Sequence, residues 1–161
     1  MVISTRALLQ ARLTHTRAAL LEAFARVPEE MLGWAPVPGM RTTGGQIAEI
    51  VGTELQALAR LECRPDVSWD EANRRIGDTT SHNSLSVALA TGRAETLAYL
   101  ESLSEADLAE PVSNFAGWHE SVGLAEVPRS EIFRSIAQHE AYHTGQLISY
   151  LWARADDPYT W

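Results

Sequence analysis

The chain has 161 residues, a hydrophobic fraction of 45% and a formal net charge of -8. That size and apolar content predict one globular domain, 1–161, with its own core. The acidic balance, without any basic tract, excludes the electrostatic footprint of a nucleic-acid binder. Cys63 is the single cysteine, which excludes an internal disulfide and a cysteine-built zinc site.

Arg6 and Arg12 interrupt the segment where a signal peptide would need an unbroken apolar core. No window approaches the apolar length of a membrane span, so a cytoplasmic protein without membrane partners is expected.

Four segments carry helical periodicity. The first covers about 4–25, with Leu8, Leu9, Leu13, Leu20, Leu21 and Phe24 as its apolar stripe, and Val27-Pro28 stops it. A long Pro- and Gly-rich connection follows. The second helix starts at Thr42 or Thr43, either of which can cap it, and runs to about Glu62 over Ile47, Ile50, Val51, Leu55, Leu58 and Leu61.

Another long connection holds at most a short helical turn near Glu71. The third helix runs from about Ser84 to Leu103 with Leu85, Leu89, Leu97 and Leu100 inward. After a third long connection, the fourth opens at Ser130, with Glu131 against its positive terminus, and ends near Arg154. Strand signals are sparse. The expected fold is all-α, a four-helix bundle whose long connections permit a topology other than up-down-up-down.

The last of these helices contains "H-E-A-Y-H". His139 and His143, four apart, fall on one face one turn apart and in line with Ile132, Ile136, Leu147 and Tyr150. Two such imidazoles can meet one metal ion at about 2.0–2.1 Å. A buried, hydrogen-bonded histidine pair without metal is the plain alternative.

The string also matches the zinc-peptidase motif, but its context fails. The extended pattern requires Gly and His where Gln146 and Ser149 stand, and no glutamate follows Glu140. No strand is expected against which a peptide could lie. Glu140-x-x-His143 also matches half of a di-iron site, but no second such pair exists in the chain.

A third ligand must come from another helix. His15 is expected near the surface, and His82 and His119 fall in connections, although His119, beside Trp118, could reach a site from above. "Q-H-E-A-Y-H-T-G-Q-L" resembles the last-helix signature of the DinB/YfiT-like superfamily, in which both histidines bind the metal. "L-G-W-A-P-V-P-G-M-R-T-T-G-G-Q-I-A-E-I-V-G-T-E" is similar to the lead-in and second helix of the same family. The resemblance spans most of the chain and implies a four-helix bundle and a divalent metal ion (zinc, nickel, iron or manganese).

That family's second helix carries the first ligand as a histidine, and this chain has none between Thr42 and Glu62. The resemblance puts Glu49 at that position. Two histidines and a carboxylate form an established set for zinc and also suit Fe(II). Glu54 and Glu62 are expected to be ordinary solvated residues. Thr144 stands where the family often has arginine, outside the metal shell.

An open metal position would support catalysis. The resemblance implies hydrolysis, or transfer involving a low-molecular-weight thiol, on a small-molecule substrate. Glu140 is a candidate general base, with a ligand-orienting or solvent-facing place favoured instead. Gln46, Thr53 and Gln146 are candidate pocket residues. The alternative function is a non-catalytic, stress-associated binding bundle whose metal is structural or absent. A homodimer fits the family habit. Cys63 lacks a partner base, and the terminal "D-P-Y-T-W" can either pack back or reach out.

Overall fold

The computed structural model describes residues 3–113 and 123–161. Its elements are α1 (Thr5–Ala25), a 3-10 turn (Glu29–Met31), α2 (Thr43–Leu61), α3 (Trp69–Ile76), α4 (His82–Ser102), α5 (Glu105–Ala109), β1 (Pro111–Val112), β2 (Val127–Pro128), α6 (Arg129–Ala153) and a closing 3-10 turn (Pro158–Thr160). Among the described residues, no helix is long and apolar enough to cross a membrane.

Local chemistry sets most of these boundaries. Ser4, Thr42, Ser68, Ser81 and Ser104 each cap a helix by accepting a backbone N–H with the side-chain oxygen. Ser104 and Asp107 form a reciprocal capping box, a readable signal for α5, which was not expected. The expected turn near Glu71 is the full helix α3.

Ser130 does not cap α6. The chain enters that helix from the short antiparallel β1–β2 ladder, and the Arg129 N–H is bonded to the Glu110 carbonyl at 2.8 Å.

The four long helices form the bundle. α1 packs on α6 and α4, and α2 packs on α6 and α4, so α1 and α2 lie diagonally opposite. Two apolar clusters order the residues along the axis. One joins Leu20 and Phe24, Ile47 to Leu55, Leu85 to Leu89, and Leu147 to Leu151. The other joins Leu9 and Leu13, Leu61, Leu100, and Ile132 to Ala137.

Numbering therefore runs the same way in α1 and α6 and the opposite way in α2 and α4. The connection through α3 carries the chain between the parallel pair α2 and α4. Leu8 and Leu21, expected inside, are exposed at 46% and 44%, because the inward stripe of α1 is narrower than its leucine content.

Between the two apolar clusters lies a buried ionic layer, to which each long helix contributes one charge. Arg17 of α1 meets Glu54 of α2 at 2.7 Å and Glu140 of α6 at 2.5 Å. Arg93 of α4 meets Glu54 at 2.7 Å and Glu140 at 2.9 Å. The remaining donors of both arginines reach the Leu89 and Leu13 carbonyls, and the Thr16 hydroxyl donates to Glu140 at 2.6 Å.

Two cations and two anions thus balance, with every charge hydrogen-bonded, as burial requires. Burial pulls the Arg93 pKa down, but Glu54 and then Glu140 outweigh it and leave it raised. Glu54 is only 2% exposed, so the expectation of a solvated residue there is corrected.

One end of the bundle, where α1 and α6 finish and α4 starts, is closed by side chains. His82 is the first residue of α4, stacks on Phe24, and donates through Nε2 to the Val27 carbonyl. The C-terminal tail packs back: Trp161 donates to Asp156 at 3.0 Å, Asp156 pairs with Arg26 at 2.8 Å, and Arg26 lies over the Trp161 ring. Gly44 is fixed by a close approach, since a Cβ there would stand 1.9 Å from the Thr79 carbonyl oxygen.

Candidate metal centre

Glu49 lies on α2 and His139 and His143 on α6, facing one another across the groove between these packed helices. One ligand atom from each falls within 4.8 Å of the other two. The two Nε2 atoms are 3.1 Å apart. A cation held by two nitrogens at about 2.0–2.2 Å, with angles from right to tetrahedral, separates them by about 2.8–3.6 Å. The spacing suits a shared ion, and without one the same 3.1 Å is a hydrogen bond between the two rings.

A hydrogen-bond chain fixes which nitrogen of His143 faces that point. The Arg41 carbonyl can only accept, so the Tyr150 hydroxyl donates to it at 2.9 Å. The Tyr150 oxygen then accepts from Gln46 Nε2 at 3.0 Å. Gln46 Oε1 is left to accept from His143 Nδ1 at 2.6 Å.

Nδ1 carries the proton, and the Nε2 lone pair points to His139 and Glu49. Such outer partners set ligand orientation and basicity. Gln46→Leu should lower divalent-metal affinity by about 10–100-fold, with Tyr150→Phe smaller in the same direction, measured by competition with a chelating dye.

Burial disfavours the charged form of both imidazoles. His139 is pushed down to about 4, by burial first, then by His143 and Arg41. His143 is also lowered, mainly by burial, with Arg41 adding to the effect and Gln146 and Glu49 opposing it. A histidine whose folded pKa lies below its unfolded value contributes stability that is complete above the unfolded pKa, near 6.5.

That contribution is lost as pH falls toward the folded value. The metal-free protein should therefore lose thermal stability between about pH 6.5 and about 4, and His139→Gln should flatten that slope. Unchanged slopes in melting curves of the variant would place the effect elsewhere.

Glu49 has a second partner. Arg41, on the loop before α2, meets it at 3.0 Å with its own side chain 48% exposed. Two cavities flank this pair. One, of about 540 Å³, is bordered by Met40, Arg41, Gln46, Tyr142, His143 and Gln146 among others. The other, of about 490 Å³, lies toward α3 and is bordered by Arg41, Ala48, Glu49, Trp69 and Asn73 among others.

Gln46 and Gln146 thus line the first cavity, while Thr53, the third pocket candidate, is half-buried further along α2 and borders neither. Glu140 is fully buried, and both its oxygens are taken by Arg17, Arg93 and Thr16. The expectation that it faces solvent or orients a ligand is corrected: one residue round the helix from His139, it points to the bundle axis rather than the groove.

Thr144 is buried and donates to the Glu140 carbonyl at 2.8 Å. His15 is exposed on α1, as expected, and His119 lies outside the described residues. Sequence reasoning placed Tyr150 on the inward stripe without its role in the chain, and missed the pairing of Arg41 with Glu49.

The fold is a helical bundle, and its α2–α6 groove gathers a donor set of the kind that can hold a metal ion. The chain belongs to the DinB superfamily, whose family model matches residues 12–147. Its structure is similar to that of a conserved protein from Enterococcus faecalis, with a TM-score of 0.70, 15% identity, and coverage of 94% of this chain and 98% of that one. It is also similar to a DinB-like protein from Bacillus subtilis, with a TM-score of 0.66, 17% identity and 93% coverage of each chain. Functionally curated proteins yield no match.

Proposed function

We propose that the protein is a divalent-metal-dependent enzyme acting on a small molecule, by hydrolysis or by transfer involving a low-molecular-weight thiol. The observation that carries this reading is a donor triad of which His143 borders one cavity and Glu49 the other. Glu49, His139 and His143 offer three ligand atoms within 4.8 Å, and His143 also borders a cavity of about 540 Å³ that can admit a substrate. Three protein ligands with open positions are the catalytic pattern, whereas structural zinc sites are closed by four. Zinc or Fe(II) suits two histidines and one carboxylate.

A divalent cation bound there would supply Lewis acidity, making a water or thiol acidic and polarising an electrophilic substrate. The protein's own part is positional. Gln46 and Tyr150 hold His143 in the tautomer that presents Nε2. Glu49 brings the negative charge that a dication needs. Tyr142, edge-on to His143 with ring centroids 5.1 Å apart, walls the cavity. The overall charge of -8 favours a small-molecule partner over a nucleic acid.

X-ray absorption on metal-loaded protein tests the open site. One or more solvent ligands beside two imidazoles and a carboxylate support an enzyme. A shell closed by four protein ligands favours the non-catalytic bundle. That second reading draws on the Arg41–Glu49 pair, which satisfies Glu49 without any metal.

A further inference from the structure

We infer that the 540 Å³ cavity is an anion subsite, in which Arg41 takes the carboxylate of a small-molecule ligand when Glu49 is engaged elsewhere. The metal-gated half of this inference rests on the function proposed above; the subsite itself does not.

Three observations converge on it. Arg41 borders both cavities, and among the described residues lining the larger it is the one of formal charge, the nearby carboxylate of Glu49 bordering the other. Its present partner is already a carboxylate, that of Glu49 at 3.0 Å, and a guanidinium fork suits such a group. Its backbone is pinned by the Tyr150 hydroxyl, so the side chain can change partner while its root stays in place.

The same cavity holds a second unmet demand. Gln146 Oε1 is buried and has no well-formed hydrogen bond, only an interaction with His143. A ligand carrying an N–H or O–H near its carboxylate would satisfy that oxygen and Arg41 together. Met40 and Tyr142, exposed at 42% and 63%, offer apolar surface for the rest of it.

The charges couple the subsite to the metal. A dication taken by Glu49 competes directly with Arg41 for the carboxylate. Loading adds the charge of the dication to the groove and leaves Arg41 without its anion. A free carboxylate is then the natural replacement.

Benzoate, with benzamide as its neutral counterpart, is a suitable probe in calorimetric titrations. Glu49→Gln frees Arg41 without any metal, so metal-free E49Q should bind benzoate about tenfold or more tighter than metal-free wild type. Adding Arg41→Met to E49Q should remove that gain, and benzamide should show none of it. Zinc-loaded wild type should match metal-free E49Q.

Arg41 and Glu49 are both solvent-accessible, and melting curves would confirm that the variants fold. No Arg41-dependent gain in E49Q overturns the subsite. A gain in E49Q, with wild type that takes up no zinc, upholds the subsite and overturns the metal reading instead. Equal benzoate affinity in zinc-loaded and metal-free wild type overturns the gating.

Discussion

Alanine at His143 should abolish measurable divalent-metal binding, and alanine at Glu49 should weaken it by more than the roughly 10–100-fold expected for an outer hydrogen-bond partner such as Gln46. His143 gives the site an imidazole already oriented by Gln46, and its loss leaves His139 with Glu49 alone. Glu49 gives it the negative charge, and its removal also leaves Arg41 uncompensated beside the ion.

The sign at Arg41 separates this account from a general loss of fold. Arg41 competes with the metal for Glu49 at 3.0 Å. Arg41→Met should therefore tighten metal binding by a few-fold, the effect being modest because the side chain is half exposed and screened. Metal titrations of the three variants, each checked for an unchanged helical spectrum, would read this out. Weaker binding in Arg41→Met would remove the competition from the account.

The second large effect belongs to the ionic layer. Arg93→Met leaves Glu54 and Glu140 sharing only Arg17 in a buried setting. Breaking one partner of such a network costs about 3–5 kcal/mol. By contrast, Arg74→Ala removes a surface pair with Glu71 and should cost less than about 1 kcal/mol.

The double change Arg93→Met with Glu54→Leu restores charge balance, because Arg17 and Glu140 remain paired at 2.5 Å. It should recover much of the loss. Urea unfolding of the three variants measures this. If Arg93→Met costs no more than Arg74→Ala, the layer does not hold the bundle as described.

The same layer shows where the sequence was legible and where it was not. Apolar periodicity and capping residues placed the four long helices to within about two residues, because both signals are local. The i,i+4 histidines were legible for the same reason. Glu49 was reached through its place in a family-like lead-in, and the structure puts its carboxylate beside them.

The ionic layer was read past, because a lone Glu54 or Arg17 resembles any surface charge. A signal did exist in the spacing. Arg17 falls between Leu13 and Leu20, Glu54 between Val51 and Leu58, Arg93 between Leu89 and Leu100, and Glu140 between Ile136 and Leu147. Each occupies an inward position, and two are positive and two negative. Four such interruptions of opposite sign on four apolar stripes predict mutual burial, since none could be buried alone.

Helix order was not legible. Connections of this length reach an adjacent or a diagonal neighbour equally well. The diagonal placement of α1 and α2 follows only from their packing. Its consequence is functional, because it sets α2 beside α6 and so brings Glu49 to the histidines.

Metal stoichiometry by elemental analysis, on protein purified without a histidine tag and titrated with zinc, decides whether Glu49, His139 and His143 hold an ion. Wild type should hold one equivalent per chain, and the Glu49→Ala, His143→Ala double variant should hold none. A wild type that takes up no metal, or a double variant that binds as tightly as wild type, would contradict the account.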